Sequence, residues 1–205
     1  MSVNPDRYFR TLKTLDTVVD HALELAHKGH YLSGFHYNLD LLHAAVANTY
    51  LETVGSRADS IHLAIKSVPA SNIYWEYVKN VEILGKRFKL SEQDVVLAFD
   101  FTDEDFYGDV QGMWIHGWTG ENAVTGKFKF LTCAIVSSNI PQKIPLISIP
   151  VHIGQNKAKE VCWCISILKP LVRSIKLVLF DRGFYDKELM LTLSKSEYPY
   201  LIFVP

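Results

Sequence analysis

The sequence predicts an α/β protein: an all-helical region over about residues 1–90, then a mixed sheet over about 91–205 in the order β-β-β-α-β-α-β. Three observations predict it. In the front part, apolar residues recur at three-to-four spacing, the period of a helix with one buried stripe. From about residue 91 the texture changes to short apolar runs bounded by Gly, Pro and acidic residues, as strands are. Two of these runs, Val95–Phe99 and Leu177–Phe180, are continuous, as expected of strands covered on both faces, and each is followed by an aspartate, Asp100 and Asp181.

In the front region, Leu12, Leu15, Val18, Val19, Ala22, Leu23, Leu25 and Ala26 define a helix ending near Gly29. Leu39, Leu42, Ala45, Val46, Thr49 and Tyr50 define a second, stopped at Gly55. Asp59–Val68 makes a third, closed by Pro69, and Ser71 is placed to cap a fourth that runs through Tyr74, Val78, Val81 and Ile83 to Gly85. Two helices joined by a Pro-Ala-Ser turn fit a helix-turn-helix, a geometry also common in all-helical domains.

In the second region the first strand is Val95–Phe99. Gly112–Trp118 and Lys127–Ser137 read as the second and third, joined by short connections into an antiparallel meander. Ile140–Gly154 holds Pro141, Pro145 and Pro150 and reads as an extended excursion. Asn156 caps a helix to Lys169, stopped by Pro170. Leu177–Phe180 is the next strand, Asp186–Ser194 a short helix, and Tyr200–Val204 a last strand. Three antiparallel strands and a helical crossover bring the fourth strand back beside the first and parallel to it. Asp100 and Asp181 then stand at the C-terminal ends of neighbouring parallel strands, the edge where open α/β sheets hold their sites.

Composition narrows the class. Hydrophobic residues make up 48% and charged residues 21%, the balance of a globular protein. No run approaches the roughly 18 apolar residues a membrane span needs. Residues 1–10 lack the apolar core of a signal peptide, so a cytoplasmic location with no membrane partner is the default expectation. Cys133, Cys162 and Cys164 have no framework or zinc spacing and read as buried apolar residues. His21, His27, His30, His36 and His43 match no standard zinc spacing either and read as structural or surface histidines.

The net charge of −1 gives no overall basic surface for nucleic acid. Residues 1–90 carry ten Lys/Arg against nine Asp/Glu, whereas Glu92, Asp94, Asp100, Asp103, Glu104, Asp105 and Asp109 follow with no base among them. Such blocks are most often solvated loop charge. Asp100 differs because an apolar run leads directly into it. Two carboxylates about 4 Å apart repel by about 4 kcal/mol at an effective dielectric near 20. A divalent cation with a taste for hard oxygen, Mg²⁺ or Mn²⁺, removes the conflict. Two such ions can clamp the attacking and leaving oxygens of a phosphoryl displacement. The bland alternative is that each aspartate ends a strand and caps the next turn.

The segment Leu97–Gly108 resembles the first catalytic block of insertion-sequence DDE transposases, particularly an archaeal-type group. Leu179–Tyr185, with its Asp-Arg-Gly-Phe core, resembles their second block. The resemblance covers about residues 91–205 well and the helical front loosely. It implies a ribonuclease-H-like fold and a metal-dependent transposase that nicks element ends and joins the 3′-hydroxyl to target DNA. It also implies Asp100 and Asp181 as catalytic metal ligands. The family's third acid is a glutamate on a helix after the fifth strand, whereas this sequence stops at Pro205, and Glu188 and Glu197 lie before that strand. The expectation is therefore a C-terminally truncated transposase, inactive or poor alone, associating with itself or with a full-length copy through exposed apolar surface. The rival readings are a catalytically dead DNA-binding remnant and a metal-dependent nuclease on the same fold.

Lys86, Arg87 and Lys89 are the densest basic cluster and are candidates for the DNA backbone, with a solvated linker as the alternative. Arg182 is a candidate phosphate contact beside the second aspartate, and Lys187 also flanks it. Gly183 fits a tight turn, and Phe184 and Tyr185 read as packing at the sheet edge. Tyr107, Trp114, Trp118 and Phe128 read as sheet-face packing and not as a base-stacking platform.

Overall fold

The computed structural model describes Lys13, residues 15–20, Leu23, and residues 34–117, 123–139 and 143–203. The contacts divide the chain into two compact units, Met1–Ile83 and Leu84–Pro205. Among the described residues no helix is long and apolar enough to cross a membrane.

The first unit is helical. Lys13, residues 15–20 and Leu23 are in helical conformation, and the remainder of the first expected helix lies outside the described residues. Then come α1 (Gly34–Ala47), α2 (Leu51–Val54), α3 (Ala58–Lys66) and α4 (Ala70–Arg87). The second expected helix is thus two. Asn48 adopts a left-handed φ of 49°, and the chain breaks there before α2. Gly85 does not end α4, which continues two more residues to Arg87, and Ser71 lies inside the helix and not at its cap. Tyr37, Ala44, Leu51, Ala58 and Ile61 form the core, with Leu23, Leu41, Val54, Ala64 and Ile65 packed against it. Two buried amides tie the elements together. Asn38 Nδ2 donates to Asp16 Oδ1 at 2.9 Å, and Asn80 Nδ2 donates to the Val18 carbonyl at 2.8 Å. Arg57 donates two hydrogen bonds to Asp40, at 2.8 and 2.9 Å.

The second unit is built on a sheet of β1 (Asp94–Phe106), β2 (Ile115–Gly117), β3 (Gly126–Ser137), β4 (Ile144–Val151), β5 (Ser174–Phe180) and β6 (Tyr200–Ile202). Its order is β2-β3-β1-β5-β6, with β4 also on β3. β1 pairs antiparallel with β3 and parallel with β5, the arrangement expected from the crossover rule. β6 pairs parallel with β5.

Four expectations need correcting. The second strand of the meander shrinks to the three residues of β2, and the proline-rich excursion contains a full strand, β4. Pro145 and Pro150 are tolerated because β4 pairs only with β3, so their missing N–H groups cost no ladder bond on the open side. β1 also does not stop at Asp100. It runs on to Phe106 because β3 continues to pair with it, setting Asp103 opposite Lys129 and Asp105 opposite Lys127. Asp103 lies 3.7 Å from Lys127 Nζ and 3.9 Å from Lys129 Nζ, so this member of the acidic block is in cross-strand charge pairing and is not loop charge.

One sheet face is buried. Val95, Leu97 and Phe99 of β1, Leu131, Cys133 and Ile135 of β3, and Val178 and Phe180 of β5 carry the core. α5 (Lys157–Leu168) and α6 (Lys187–Ser194) bury Val161, Cys164, Leu168, Leu189 and Leu193 on the helical side. Cys133 and Cys164 are buried as expected. Burial raises the Cys133 thiol well above its ordinary range, with the nearby Cys164 adding to it, and pushes Cys164 up to about 12. Cys162 is half-buried, and its thiol is raised by burial as well.

The starts of β1 and β5 are locked together. Asp94 accepts from Arg173 Nε at 2.9 Å and Nη2 at 2.6 Å, and from Ser174 Oγ at 2.6 Å. These hydrogen bonds, Arg173 first, hold the Asp94 carboxyl far below its ordinary value. A depressed folded-state pKa adds stability above the unfolded value near 4 that fades as pH falls through the folded one. The melting temperature of Asp94→Asn should therefore lie below that of the parent at pH 7, and the gap should narrow below about pH 4. A gap that is constant with pH would exclude the charge as its cause.

Candidate functional site

The parallel pairing of β1 with β5 ends at Phe99 opposite Phe180. The next residue on each strand is Asp100 and Asp181. Neighbouring strands lie about 4.8 Å apart, so the register sets the two aspartates side by side. The rings of Phe99 and Phe180 stack at 5.3 Å on the buried face. Strand alternation therefore turns Asp100 to the other face, where it is exposed, as Asp181 is at the strand end.

Each carboxylate has one oxygen engaged. Asp100 Oδ1 accepts from the Phe101 N–H at 2.8 Å, and Asp181 Oδ1 accepts from the Gly183 N–H at 2.9 Å. No ion pair with either aspartate occurs among the described residues. Asp181 does cap the following turn, a short 3-10 turn over Arg182–Phe184, so the alternative reading, a strand-ending aspartate that caps the next turn, accounts for the bond its side chain makes here, whereas Asp100 does not end its strand. Gly183 serves that cap by closeness and not by a positive φ. A Cβ there would sit 3.1 Å from Asp181 Oδ1.

Aromatic packing and a lysine brace the turn. Phe184 is fully buried, with its ring stacked on Phe101 at 4.5 Å and tilted against Phe180 at 5.3 Å. Lys157, the first residue of α5, donates to the Gly183 carbonyl at 2.9 Å. Its ammonium lies 6.0 Å from the Phe101 ring centre, and that of Lys129 lies 5.2 Å from it. The sequence reading missed Lys129 and Lys157. The signal for Lys157 was available only through β4, which runs parallel to β1 and so delivers the start of α5 to the edge where Asp100 stands.

The other candidates separate. Arg182 is exposed directly after Asp181. Lys86, Arg87 and Lys89 lie before the start of β1, about 20 Å along the strand from Asp100. Lys86 and Arg87 close the last turn of α4, where cations complement the helix dipole. Lys187 is exposed at the start of α6. Glu197 pairs with Lys169, and Glu188 is exposed in the first turn of α6. Tyr185 is 54% exposed, Tyr107 59% and Trp114 50%, so the packing expected of these three is not what the fold provides. Phe128 does pack, edge-on to Phe106 at 5.4 Å, while Trp118 lies outside the described residues. His43 is exposed, and His21, His27 and His30 lie outside the described residues, as does the His36 side chain.

The donor set fits a hard divalent cation in part. Two adjacent exposed carboxylates each keep an oxygen free, and Mg²⁺ takes one or two carboxylates and retains waters. Among the described residues, no group of three or more His, Cys, Asp or Glu gathers that could hold a metal ion.

No family model matches the chain, and no curated protein sequence matches it. Among solved structures it is similar to a piggyBac transposase in a synaptic complex with hairpin DNA, with a TM-score of 0.44 and 14% identity. The likeness covers 98% of this chain and 42% of that one, so this chain spans less than half the length of that neighbour.

Proposed function

We propose that Asp100 and Asp181 are two of the metal-binding carboxylates of a DDE-type transposase, acting on DNA phosphodiesters with Mg²⁺ or Mn²⁺. One observation carries the reading: the parallel register of β1 and β5 sets both aspartates side by side at one strand edge, with a free oxygen on each. The sequence blocks around them, Leu97–Gly108 and Leu179–Tyr185, support it by their resemblance to the first two catalytic blocks of insertion-sequence transposases. The sheet supports the ribonuclease-H-like reading, since with the short β2 set aside its strands stand in the order β4-β3-β1-β5-β6, that is third, second, first, fourth, fifth.

When bound, a divalent ion neutralises the paired carboxylates and polarises a phosphodiester oxygen. The protein's own part is to hold the two ligands. Asp100 is fixed by its pairing with Thr132 of β3, one residue beyond the last pair of β1 with β5, and Asp181 by the Gly183 N–H and the buried Phe184 beside it in the turn. Arg182 is positioned to contact a phosphate next to the pair. Lys86, Arg87 and Lys89 would touch only DNA that reaches the far end of β1.

The test is an end-labelled DNA duplex incubated with Mn²⁺ and with EDTA, using the parent and Asp181→Asn. The expected result is Mn²⁺-dependent nicking or, if a further carboxylate is required, Mn²⁺-dependent DNA binding, with either lost in the variant. DNA binding indifferent to Mn²⁺ and to Asp181→Asn would favour a pure binding module.

A further inference from the structure

The register that aligns the two aspartates continues across the sheet. Asp100 on β1 faces Thr132 on β3, and Thr132 faces Ser148 on β4. Register partners share a face, with Cβ atoms about 4.5–5.5 Å apart, so one row carries Asp181, Asp100, Thr132 and Ser148 in succession. The Thr132 and Ser148 hydroxyls are 3.1 Å apart and half-buried. On this face Ala98 and Ala134 form the row on one side, and the exposed Thr102 with Phe130 and Pro150 forms the row on the other. A valine at 132 would serve the sheet as well, since β-branching is what a strand favours. The hydroxyl therefore calls for a reason beyond the fold.

We propose that Thr132, backed by Ser148, is a positioning residue for Asp100 in ion binding. The inference rests on the reading of Asp100 and Asp181 as metal ligands. A hydroxyl has one proton and two acceptor sites. The Thr132–Ser148 bond can run in either direction; with Ser148 as donor, the Thr132 proton is left for the Asp100 side, where the second carboxylate oxygen is open. A hydrogen bond there fixes the carboxylate rotamer and leaves the oxygen's remaining lone pair for a cation. Partners that orient a metal ligand in this way typically change metal affinity by about 10- to 100-fold when removed.

The experiment is Mn²⁺ titration followed by electron paramagnetic resonance on the full chain, with thermal melting alongside. Thr132→Val, which keeps the branched shape, should weaken Mn²⁺ binding about 10-fold without lowering the melting temperature. Thr132→Ser should restore binding, and Ser148→Ala should weaken it by less. Parent-like binding by Thr132→Val, or equal impairment of Thr132→Ser and Thr132→Val, overturns the role. Should Thr132→Val fail to fold, Ser148→Ala decides: weaker binding supports the role and unchanged binding overturns it. Asp100→Asn separates the two levels. If it too binds Mn²⁺ normally, the metal reading itself fails, whereas normal binding by Thr132→Val alone removes only the positioning role.

Discussion

Asp100→Asn and Asp181→Asn should each lower Mn²⁺ affinity by more than about 100-fold, beyond the about 10- to 100-fold that loss of an outer partner typically costs, and the double variant should bind no ion. Asparagine is the informative choice because it keeps the Oδ1 acceptor. In Asp181→Asn the cap from Gly183 N–H survives, so the turn over Arg182–Phe184 is retained. What disappears is charge. Without metal, two neighbouring carboxylates repel, so either variant should melt at the same temperature as the ion-free parent or slightly above it. Added Mn²⁺ should raise the melting temperature of the parent and leave the double variant unmoved, because a ligand stabilises only the state that binds it. Calorimetric titration with parallel melts reads all of these. If the double variant is stabilised by Mn²⁺ as strongly as the parent, the ion binds elsewhere and the proposed site is wrong.

Phe184→Ala should destabilise the second unit by about 3–5 kcal/mol, the range for removing a fully buried aromatic ring. That is a large share of the roughly 5–15 kcal/mol by which domains are stable. The ring is fully buried, stacks on Phe101 and leans on Phe180, so its loss leaves a cavity directly beneath the aspartate edge. The backbone N–H of Phe184 also donates to the Asp181 carbonyl, at 3.2 Å. Ion affinity should therefore fall even where the variant is still folded. Urea unfolding gives the first quantity and Mn²⁺ titration in native buffer the second. A loss under about 1 kcal/mol would show that the neighbouring rings close the gap, and the turn would then owe its shape to Asp181 alone.

Much of this architecture was legible because it follows from local pattern. Val95–Phe99 and Leu177–Phe180 are strands, as their apolar runs predict, but they are not covered on both faces as expected: Val95, Leu97, Phe99, Val178 and Phe180 are buried, while Val96, Ala98, Leu177 and Leu179 are half-buried. Asn156 does cap α5, accepting from Lys159 N–H at 3.0 Å, and Asp186 caps α6 in the same way, accepting from Leu189 N–H at 2.9 Å. The misreadings came from residues whose meaning depends on a neighbouring strand. Pro145 and Pro150 mark a break in any central strand and are harmless at an edge. Asp103 and Asp105 look like loop charge until Lys129 and Lys127 stand opposite them. Tyr107 and Trp114 resemble core aromatics, yet they fall in the segment after β1, where the fold leaves them half exposed or more.

By itself, the sequence determined the α/β class, the helical front, the crossover that makes β1 and β5 parallel neighbours, and the two aspartates that follow their apolar runs. Each depends on periodicity, capping or chain connectivity, which act within a segment or between consecutive segments. Tertiary structure alone decided that β1 passes through Asp100 and continues to Phe106, that β4 joins the sheet, and that Thr132 and Ser148 share a row with the aspartates. The physical reason is register. A side chain's face and its cross-strand partner are set by which residue of another strand it meets, and a shift of one position reverses every facing.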